Sequence, residues 1–469
     1  MNGGMGSRGY ASIRLPVPQI LPAAFASYTG FVVVLAMLFG GAHGQGWSDV
    51  AVQLAALPLL GRALFKLAFR QFDRFGQWSI ALLCAIVALP LFQLIPLPPG
   101  LWSLIPGRQE IISGFRAADM PLPWLAISLD PSATWSDLLS LIPAIAIFIA
   151  MLSLNRRERR VMIALILTVA FVSVFLELLQ ITGGPNSPLR PYYPLTNINS
   201  GVGFFANADH QAALLYCAAV FAAGWAIGLI REFRQIRTFN VFILLLVIPL
   251  AVAGIAITSS RAAVALSLVG GLLCLLLIKR TMHGRMRSRF LWGAFAGNLI
   301  ALIIAFNLGF VSIAQKSQNL AGDLRWSLAK ITTGAALANM PTGTGFGTFI
   351  PEYEMHAPRI TANYFYVNHA HNDWLELLLE GGVPALILML GFLAWFAAAS
   401  FSVWRPGPTA IEVQDIALAR AASIVILLLS LHSLVDYAMR NIAINVVFAA
   451  SCALLLGSRI ASNREITNE

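Results

Sequence analysis

The sequence predicts an all-α polytopic membrane protein with about 12 transmembrane helices and a large loop between the ninth and tenth. Hydrophobic residues make up 58% of the 469 residues, and charged residues make up only 11%. A soluble domain carries about 25% charged residues, so this composition excludes a water-soluble globule of this size. The apolar residues also form continuous runs instead of alternating with polar ones, which excludes a membrane β-barrel.

Each predicted span is a run close to the roughly 20 apolar residues that a helix needs to cross a bilayer. The spans cover 21–42, 50–67, 78–97, 137–155, 161–182, 209–230, 239–258, 262–278, 291–313, 384–404, 418–437 and 442–458. The first run follows Arg8 and Arg14 and lacks a small-residue cleavage site. We therefore interpret it as an uncleaved anchor and not as a signal peptide.

The basic residues predict the orientation of these spans. The chain has 31 lysines and arginines against 21 acidic residues, and most of the basic ones fall in every second connection. Because cytoplasmic loops of membrane proteins are enriched in lysine and arginine, both termini are predicted to be cytoplasmic. The net charge of +10 then follows from topology, and no nucleic-acid partner is expected. The lipid bilayer is the surrounding partner.

Three long segments lie on the opposite, outer side, at 98–136, 183–208 and 314–383. The cytoplasmic loops are short and contain no nucleotide-binding loop, so chemistry is expected at the outer face, where ATP and nucleotide sugars are absent. In the largest outer segment, apolar residues at 320, 324, 328, 331 and 335 predict an amphipathic helix. The following stretch PTGTGFGTF has no buried strand before it, so it is interpreted as a flexible connection and not as a phosphate-binding loop.

The same segment ends in His369-Ala370-His371-Asn372-Asp373, just before a helix predicted to start at Asp373. Two histidines without a third ligand nearby do not indicate a metal site, and the four cysteines all lie inside apolar runs. Histidine is a suitable general base near neutral pH. Asn372 or Asp373 also fits a purely structural role as the N-cap of the helix.

Charged residues near the outer ends of the spans need partners, because unpaired charges there are costly. Glu376 and Glu380 share one helix face, so a partner among the outer arginines is expected. Arg261 follows Thr258-Ser259-Ser260 at a tight turn between two spans, where it either snorkels, pairs with a carboxylate or binds an anion. Arg440 follows Asp436 by four residues, which predicts a local ion pair.

These motifs together resemble the bacterial O-antigen ligase and polymerase superfamily of membrane glycosyltransferases. The signature of its ligases is His-Asn, nine residues and Gly-x-x-Gly. Here His371-Asn372 precedes nine residues and then Gly382, with Ala385 in place of the last glycine. Glu380 falls on an acidic position of the family. The segment TSSR ending in Arg261 and the segment FFANADHQAALL are also similar; in the latter Asn207 matches and Asp209 replaces an asparagine.

The resemblance implies a GT-C-like fold and a division of the chain into three parts. Residues 1–136 are then N-terminal membrane helices with the first periplasmic loop. Residues 137–458 are the O-antigen ligase-like membrane domain, including periplasmic loop 314–383, and residues 459–469 are a cytoplasmic tail. The N-terminal part resembles the family only in hydropathy and in its PLPPGLW stretch. The implied location is the bacterial inner membrane, with the active site on the periplasmic face.

The resemblance also implies the chemistry. The donor would be a glycan on undecaprenyl pyrophosphate, and the acceptor lipid A-core or another glycan, in lipopolysaccharide or other surface polysaccharide assembly. Such a metal-independent, inverting glycosyl transfer uses no cofactor. By motif position His371 is the catalytic base and Arg261 the pyrophosphate clamp. The substrate-binding candidates are Arg190 and Arg325 as a second clamp and Asn207, His369, Asn372 and Glu380.

Three functions remain open at this stage. The His-Asn-x9-Gly spacing favours a ligase over a polymerase, whose acceptor is another lipid-linked repeat. The two share the same donor chemistry. A transporter of a small solute is the alternative from a different class. Transporters often contain two related halves with broken helices in matching places, and the sequence shows no such repeat.

Overall fold

The structure is a computed structural model that describes residues 21–42, 46–190, 197, 199–232, 238–282, 293, 296–297, 303, 321–357, 367–405 and 413–466. The first helices are α1 (Leu21–Phe39), α2 (Trp47–Ala68), α3 (Arg74–Gln93), α4 (Pro99–Trp102), α5 (Gln109–Ala117), α6 (Pro131–Ser140), α7 (Ile142–Ser153) and α8 (Arg156–Thr182). They are followed by α9 (Ala208–Glu232), α10 (Thr238–Thr258), α11 (Arg261–Thr281), α12 (Ala321–Ala338), α13 (Phe349–His356), α14 (Asp373–Trp404), α15 (Val413–His432) and α16 (Ile442–Ile466). A short 3-10 helix spans Ala438–Arg440, and two strands, β1 (Pro96–Leu97) and β2 (Leu125–Ala126), form one antiparallel pair.

Eight helical stretches in the described part of the chain are long and apolar enough to cross a membrane. They are Trp47–Ala68, Arg74–Gln93, Pro131–Ser153, Arg156–Thr182, Ala208–Ile230, Arg261–Thr281, Asp373–Trp404 and Val413–His432. The predicted spans 21–42, 239–258 and 442–458 also coincide with helices, α1, α10 and α16. The predicted span 291–313 lies almost wholly outside the described residues. The helical, multi-pass character is therefore confirmed, while the number 12 stays a prediction.

Two of the predicted spans differ from the observed helices at their ends. The span predicted at 137–155 begins six residues earlier, because Asp130 caps α6 by accepting from the backbone nitrogens of Ser132 and Ala133. It is also divided at Leu141 into α6 and α7. The span predicted to end at 437 stops at His432, where the chain turns into the loop before the 3-10 helix.

Helices α9 and α15 form the most buried part of the bundle, in contact with α10, α11 and α16. Their backbones approach closely at small residues. A Cβ atom placed on Gly224 would lie 2.6 Å from the Cβ of Ala421, and one on Gly228 would lie 2.8 Å from the Cα of Gln414. Small residues at helix contacts are the usual means of close packing in membranes, where no hydrophobic effect drives helices together.

The two ends of the bundle differ in charge. At one end, where α8 and α15 begin, Arg160 pairs with Asp415 at 2.8 Å and Arg420 donates to the carbonyl of Val403. Arg420 also donates to the hydroxyl of Thr281 at the end of α11, so α11 and α15 run in opposite directions. The other end therefore brings together the starts of α9, α11 and α14 with the end of α15. This second end carries the polar cluster described below.

The first outer segment packs on the large outer segment. The backbone nitrogen of Leu129 donates to the carbonyl of Thr344 at 2.8 Å, and the hydroxyl of Thr134 donates to the carbonyl of Phe346 at 2.7 Å. The amphipathic helix predicted between 320 and 335 is confirmed as α12, whose Leu328 is buried in a small apolar cluster with α13. Residues 94–136 and 321–357 therefore form one layer over this end of the bundle.

Helix α14 is broken at Gly382, which has φ 58° and ψ −146°. This conformation is almost confined to glycine. The break leaves the carbonyls of Leu379 and Glu380 without their helical donors, and one of those donors would have been Pro384, which has no N–H. The backbone nitrogens of Thr344 and Gly345 replace them, at 3.1 and 2.9 Å.

The glycine-rich stretch 341–347 is therefore a fixed part of the bundle. This stretch donates hydrogen bonds to α14 and also accepts one, because the backbone nitrogen of Val383 donates to the carbonyl of Pro341 at 2.8 Å. Gly343 has φ 74°, and a Cβ atom there would lie 2.4 Å from the Glu380 carbonyl oxygen. The prediction of a flexible connection was wrong, because composition does not show that a helix 35 residues later needs hydrogen-bond donors.

Candidate functional site

A cavity of about 950 Å³ lies between α3, α6, α14 and α16 at the polar end of the bundle. Its lining has two parts. The deep part is apolar and includes Ile86, Leu89, Leu388, Met389, Phe392 and Phe448. The other part is polar and includes Asp137, His369, His371, Asp373, Glu376, Glu380, Tyr437 and Arg440. The cavity can thus hold a molecule with one long apolar part and one polar part.

His371 lies on the polar wall of this cavity, and its imidazole forms a hydrogen bond with a buried carboxylate. Its Nδ1 atom is 2.9 Å from Oδ1 of Asp436, and 26% of the His371 side chain is exposed. A carboxylate only accepts hydrogen bonds, so Nδ1 carries the hydrogen and the lone pair of the neutral ring is on Nε2. His371 adopts φ 50°, a left-handed conformation uncommon for residues other than glycine. The arrangement is that of a base oriented by a carboxylate.

Asp436 is 1% exposed and remains ionised in spite of its burial. Burial alone raises the pKa of a carboxyl group, because it removes water from the charged form. Here the hydrogen bond from His371 and the electrostatic influence of the imidazoles of His210, His371 and His432 outweigh burial, and the pKa of Asp436 lies below its ordinary value.

The loop 433–441 that carries Asp436 is tied to the start of α14. Asp373 accepts from the Ser433 hydroxyl at 2.7 Å and from the Met439 backbone nitrogen at 3.1 Å. The nitrogen of Asp373 donates to the Ser433 carbonyl at 2.8 Å. Asn372 is the N-cap of α14, since its side-chain oxygen accepts from the Leu375 nitrogen. The structural alternative predicted for this pair of residues is thus observed at Asn372.

His369 forms a second pair of the same kind on the cavity wall. Its Nδ1 atom is 2.8 Å from Oε1 of Glu376, whose other oxygen accepts from the Ala370 nitrogen at 2.7 Å. The ring of Tyr437 lies beside both histidines, with ring centroids 4.5 Å from His369 and 4.9 Å from His371. The two imidazoles are therefore held on one wall by separate carboxylates and a shared aromatic ring.

Arg440 is surrounded by four carboxylates. Its guanidinium nitrogens lie 2.6 Å from Glu380, 2.7 Å from Asp137, 3.4 Å from Glu376 and 3.9 Å from Asp373. Burial would lower the pKa of Arg440, but the carboxylates raise it and keep the guanidinium charged. The expectation that an outer arginine pairs with Glu376 and Glu380 is confirmed. The predicted local pair with Asp436 is wrong, because Asp436 faces the histidines instead.

The other predicted site residues lie away from the cavity wall. Arg261 is the first residue of α11 and is exposed; within the described ranges no carboxylate pairs with it and no contact joins it to His371. Arg190 donates to the carbonyls of Gly184 and Ser200 in its own loop. Arg325 is about half exposed and lies 3.6 Å from Asp209.

Asn207 contacts the start of α9 and the aromatic ring on the cavity wall. Its side-chain oxygen accepts from the nitrogen of Asp209 at 2.9 Å at the start of α9. Its side chain also forms a hydrogen bond with Tyr437. Asn207 is therefore linked to the cavity wall through the aromatic ring that lies against both cavity histidines.

Sequence reasoning did not single out Asp436, Tyr437, Asp137, His210 or His432 as site residues. They come from three separated segments and show no shared spacing. The one available signal was the concentration of polar residues in the short turn between the last two predicted spans. Among the described residues, no group of three or more His, Cys, Asp and Glu side chains is arranged to hold a metal ion.

The bundle and this cavity define a polytopic membrane protein with an amphiphilic chamber at one end. Residues 242–390 match the family model described as O-antigen ligase, so the resemblance of the motifs in this range is confirmed. The matched range contains Arg261, His369, His371, Asn372 and Glu380 but ends before Asp436. The comparison with curated proteins found no match.

Proposed function

We propose that this protein transfers a glycan from undecaprenyl pyrophosphate to an acceptor hydroxyl, as an O-antigen ligase. Two findings support the proposal. Residues 242–390 match the O-antigen ligase family model, whose members are membrane glycosyltransferase-like enzymes. The cavity in turn joins an apolar part to a polar wall that carries a carboxylate-oriented histidine. The histidine is the single observation on which the proposal depends.

His371 is the proposed general base. Nε2 takes the proton of the acceptor hydroxyl as its oxygen attacks the anomeric carbon, and Asp436 stabilises the imidazolium that forms. The bond between the anomeric carbon and the pyrophosphate oxygen breaks, and the lipid pyrophosphate leaves with the electron pair. The proton then passes from the imidazolium to the pyrophosphate or to water. Direct displacement inverts the anomeric configuration and requires no metal.

The pyrophosphate leaves as a stable anion, so it needs positive charge nearby and no general acid. Arg440 is unsuited to this, because four carboxylates already neutralise it. Arg261 is exposed at the same end of the bundle, and an arginine fork binds phosphate oxygens bidentately. Arg261 is therefore the proposed clamp. The pyrophosphate would reach it by movement of the bound donor or of the helix ends. Arg325 is the candidate second clamp.

Arg190 is the least suited of the predicted arginines, because its donors are directed to loop carbonyls. Asn207 and His369 are proposed to position the substrate through the wall that they form with Tyr437. Asn372 caps the start of α14, and Glu380 connects α14 to the outer layer. Their proposed contribution is to fix the position of His371. Both act by orientation and not by contact with the reacting atoms.

The proposed location follows from the charge asymmetry of the bundle. The end with Arg156, Arg160 and Arg420 is the end expected in the cytoplasm. The cavity then opens to the periplasmic face of the bacterial inner membrane, where a flipped lipid-linked glycan is available. The apolar part of the cavity is suited to the first isoprene units of the carrier lipid.

The test is to delete the gene, express the wild type or a variant from a plasmid, and separate the surface polysaccharides on a gel. His371→Ala is expected to leave unattached polymer and bare acceptor at wild-type protein levels. His356→Ala, in α13 and away from the cavity wall, is the matched control and is expected to complement. Single repeats in the deletion strain would indicate a polymerase instead. Full complementation by His371→Ala would rule out the base.

A further inference from the structure

A second group of histidines lies behind the proposed base, on the side of Asp436 that faces away from the cavity. The Nε2 atom of His432 is 3.9 Å from Oδ2 of Asp436, and the Nε2 atom of His210 is 4.0 Å from the same oxygen. Both side chains are at least 99% buried. One carboxylate is thus shared by His371, which lines the cavity, and two histidines in the core.

The two carboxylate oxygens of Asp436 differ in their hydrogen bonding. Oδ1 accepts the hydrogen bond from His371, whereas Oδ2 forms no hydrogen bond with any described residue. A buried carboxylate oxygen without a donor is costly. The hydrogen bond from His371 stabilises the carboxylate most, and the ring nitrogens of His210 and His432 near Oδ2 add to it. The charge that Asp436 offers to His371 therefore depends on the state of the two buried rings.

The tautomer of His432 is set by a buried tyrosine. The hydroxyl of Tyr216 is 2.9 Å from Nδ1 of His432, and both side chains lie in the core. Within the described residues the hydroxyl hydrogen has no other acceptor, so it is donated to Nδ1. The hydrogen of the neutral ring is then on Nε2, the atom 3.9 Å from Oδ2 of Asp436.

The charged and titratable groups around this set come from several elements. They are His371 before α14, Asp209, His210 and Tyr216 in α9, Arg325 in α12, His432 at the end of α15, and Tyr437 beside Asp436. Only His371 among the histidines of this set lines the cavity. The buried rings are therefore positioned to act on the reaction through Asp436 alone.

We propose that His432, held in its tautomer by Tyr216, together with His210 sets the basicity of His371 through their shared carboxylate. These are positioning residues and not catalytic ones, because they lie behind Asp436. The inference rests on the proposed function only in its use of His371 as the base. An N–H group on either ring nitrogen near Oδ2 stabilises the carboxylate charge and so reduces the charge that Asp436 presents to His371. Removing these groups makes His371 a stronger base.

The experiment measures the pH dependence of acylation of His371 by diethyl pyrocarbonate in the full-length protein in detergent micelles. The reagent attacks neutral imidazole nitrogen, so the rate at each site, read by mass spectrometry, follows the titration of that ring. His369, which is 20% exposed and paired with Glu376, serves as the internal reference. The core histidines are too buried to react in the folded protein.

The variants are Tyr216→Phe, which removes one hydroxyl, His432→Gln and His210→Gln. The midpoint for His371 is expected to rise by about 0.5 pH unit or more in all three variants, with that of His369 unchanged. An unchanged His371 midpoint in His432→Gln and His210→Gln would overturn the inference. Equal shifts at both sites would also overturn it, because they would indicate a general disturbance.

Acylation does not depend on glycan transfer, so the two proposals fail separately. If His371→Ala retains transfer while Tyr216→Phe shifts the His371 titration, the coupling stands without the catalytic role. If transfer requires His371 but the titration of His371 is unchanged in the variants of the buried residues, only the coupling is ruled out.

Discussion

The Nη2 atom of Arg440 lies 2.6 Å from Oε2 of Glu380, and the other oxygen of Glu380 accepts from the backbone nitrogen of Gly347 at 2.9 Å. A single carboxylate thus connects the loop that carries Asp436 to the glycine-rich stretch of the outer segment. The second guanidinium nitrogen of Arg440 extends the connection to Asp137 in α6. Three parts of the chain that are distant in sequence meet at one ion pair beside the cavity.

Replacing Arg440 by Leu is expected to lower the free energy of unfolding by about 3–5 kcal/mol, because it leaves buried carboxylates without a cation. Arg440→Lys should recover only part of this loss, since a point charge cannot bridge Glu380 and Asp137 as a planar fork does. Thermal unfolding in detergent micelles measures both. Arg116→Leu, an exposed change on α5, is the control and should have little effect. Equal stability of wild type and Arg440→Leu would contradict the central role of this cation.

Asp436→Asn tests the orientation of the proposed base. The amide can donate to Nδ1 and so favour the tautomer with its hydrogen on Nε2, which cannot accept the proton of the acceptor. Transfer is expected to fall by about 10²- to 10⁴-fold. Transfer is measured with membranes that contain the lipid-linked donor. Asp119→Asn, an exposed residue in a left-handed conformation that asparagine tolerates, should transfer normally. Comparable rates in the two variants would remove Asp436 from the mechanism.

Acid stability provides a separate test of the same carboxylate. The pKa of Asp436 is lowered in the folded protein, so its contribution to stability is complete above the unfolded pKa of about 3.9 and is lost as pH falls from there towards the lower pKa of the folded state. The difference in melting temperature between wild type and Asp436→Asn should therefore shrink as the pH falls below about 4. A difference that stays constant or grows below about pH 4 would show that the folded protein does not favour the ionised form.

Gly382→Ala is expected to be strongly destabilising. The backbone conformation alone costs about 1–3 kcal/mol for a residue with a Cβ atom, and the new atom would lie 2.2 Å from the carbonyl oxygen of Pro341. Gly334→Ala is the matched control, because nothing lies within 4 Å of its Cβ position in the middle of α12. That change should be neutral or stabilise by up to about 1 kcal/mol. Similar melting temperatures for the two variants would mean that the break can relax.

Arg261→Lys and Arg261→Ala test the proposed pyrophosphate clamp. Both are expected to retain the melting temperature of the wild type, because the side chain is exposed and outside the packed core. Transfer should fall by at least about 10-fold in the lysine variant and further in the alanine variant, since bidentate binding of phosphate is lost. Arg116→Lys is the control for a surface arginine. Full activity of Arg261→Lys would leave Arg261 as a snorkelling residue.

The fold class was predictable from the sequence because apolar runs long enough to cross a bilayer are rare outside transmembrane helices. Eleven of the 12 predicted spans coincide with helices, and the helix start at Asp373 and the amphipathic helix α12 were placed correctly. The sequence did not predict that the outer segment binds to α14 at the break at Gly382. The donors to the free carbonyls there come from residues 344 and 345, and a local sequence pattern does not indicate a partner so far away in the chain.

The candidate site was predictable only in part, for a related reason. A histidine beside an asparagine before a helix is a local motif, so His371 was found. Its carboxylate partner is 65 residues away, in a turn where Arg440 suggested a nearer partner for Asp436. Local spacing favours an ion pair between Asp436 and Arg440 at i, i+4. In the packed structure Arg440 instead pairs with Glu380 and Asp137, and Asp436 contacts the histidines.

The break in α14 also determines how the start of this helix is held. The short rod from Asp373 to Gly381 is attached to the outer layer by the bonds at Leu379 and Glu380, whereas the long rod beyond Pro384 stands among the lipid-facing helices. The two rods are joined at Gly382, so the start of α14 beside His371 is held by its bonds to residues 344 and 345 and not by continuity with the long rod.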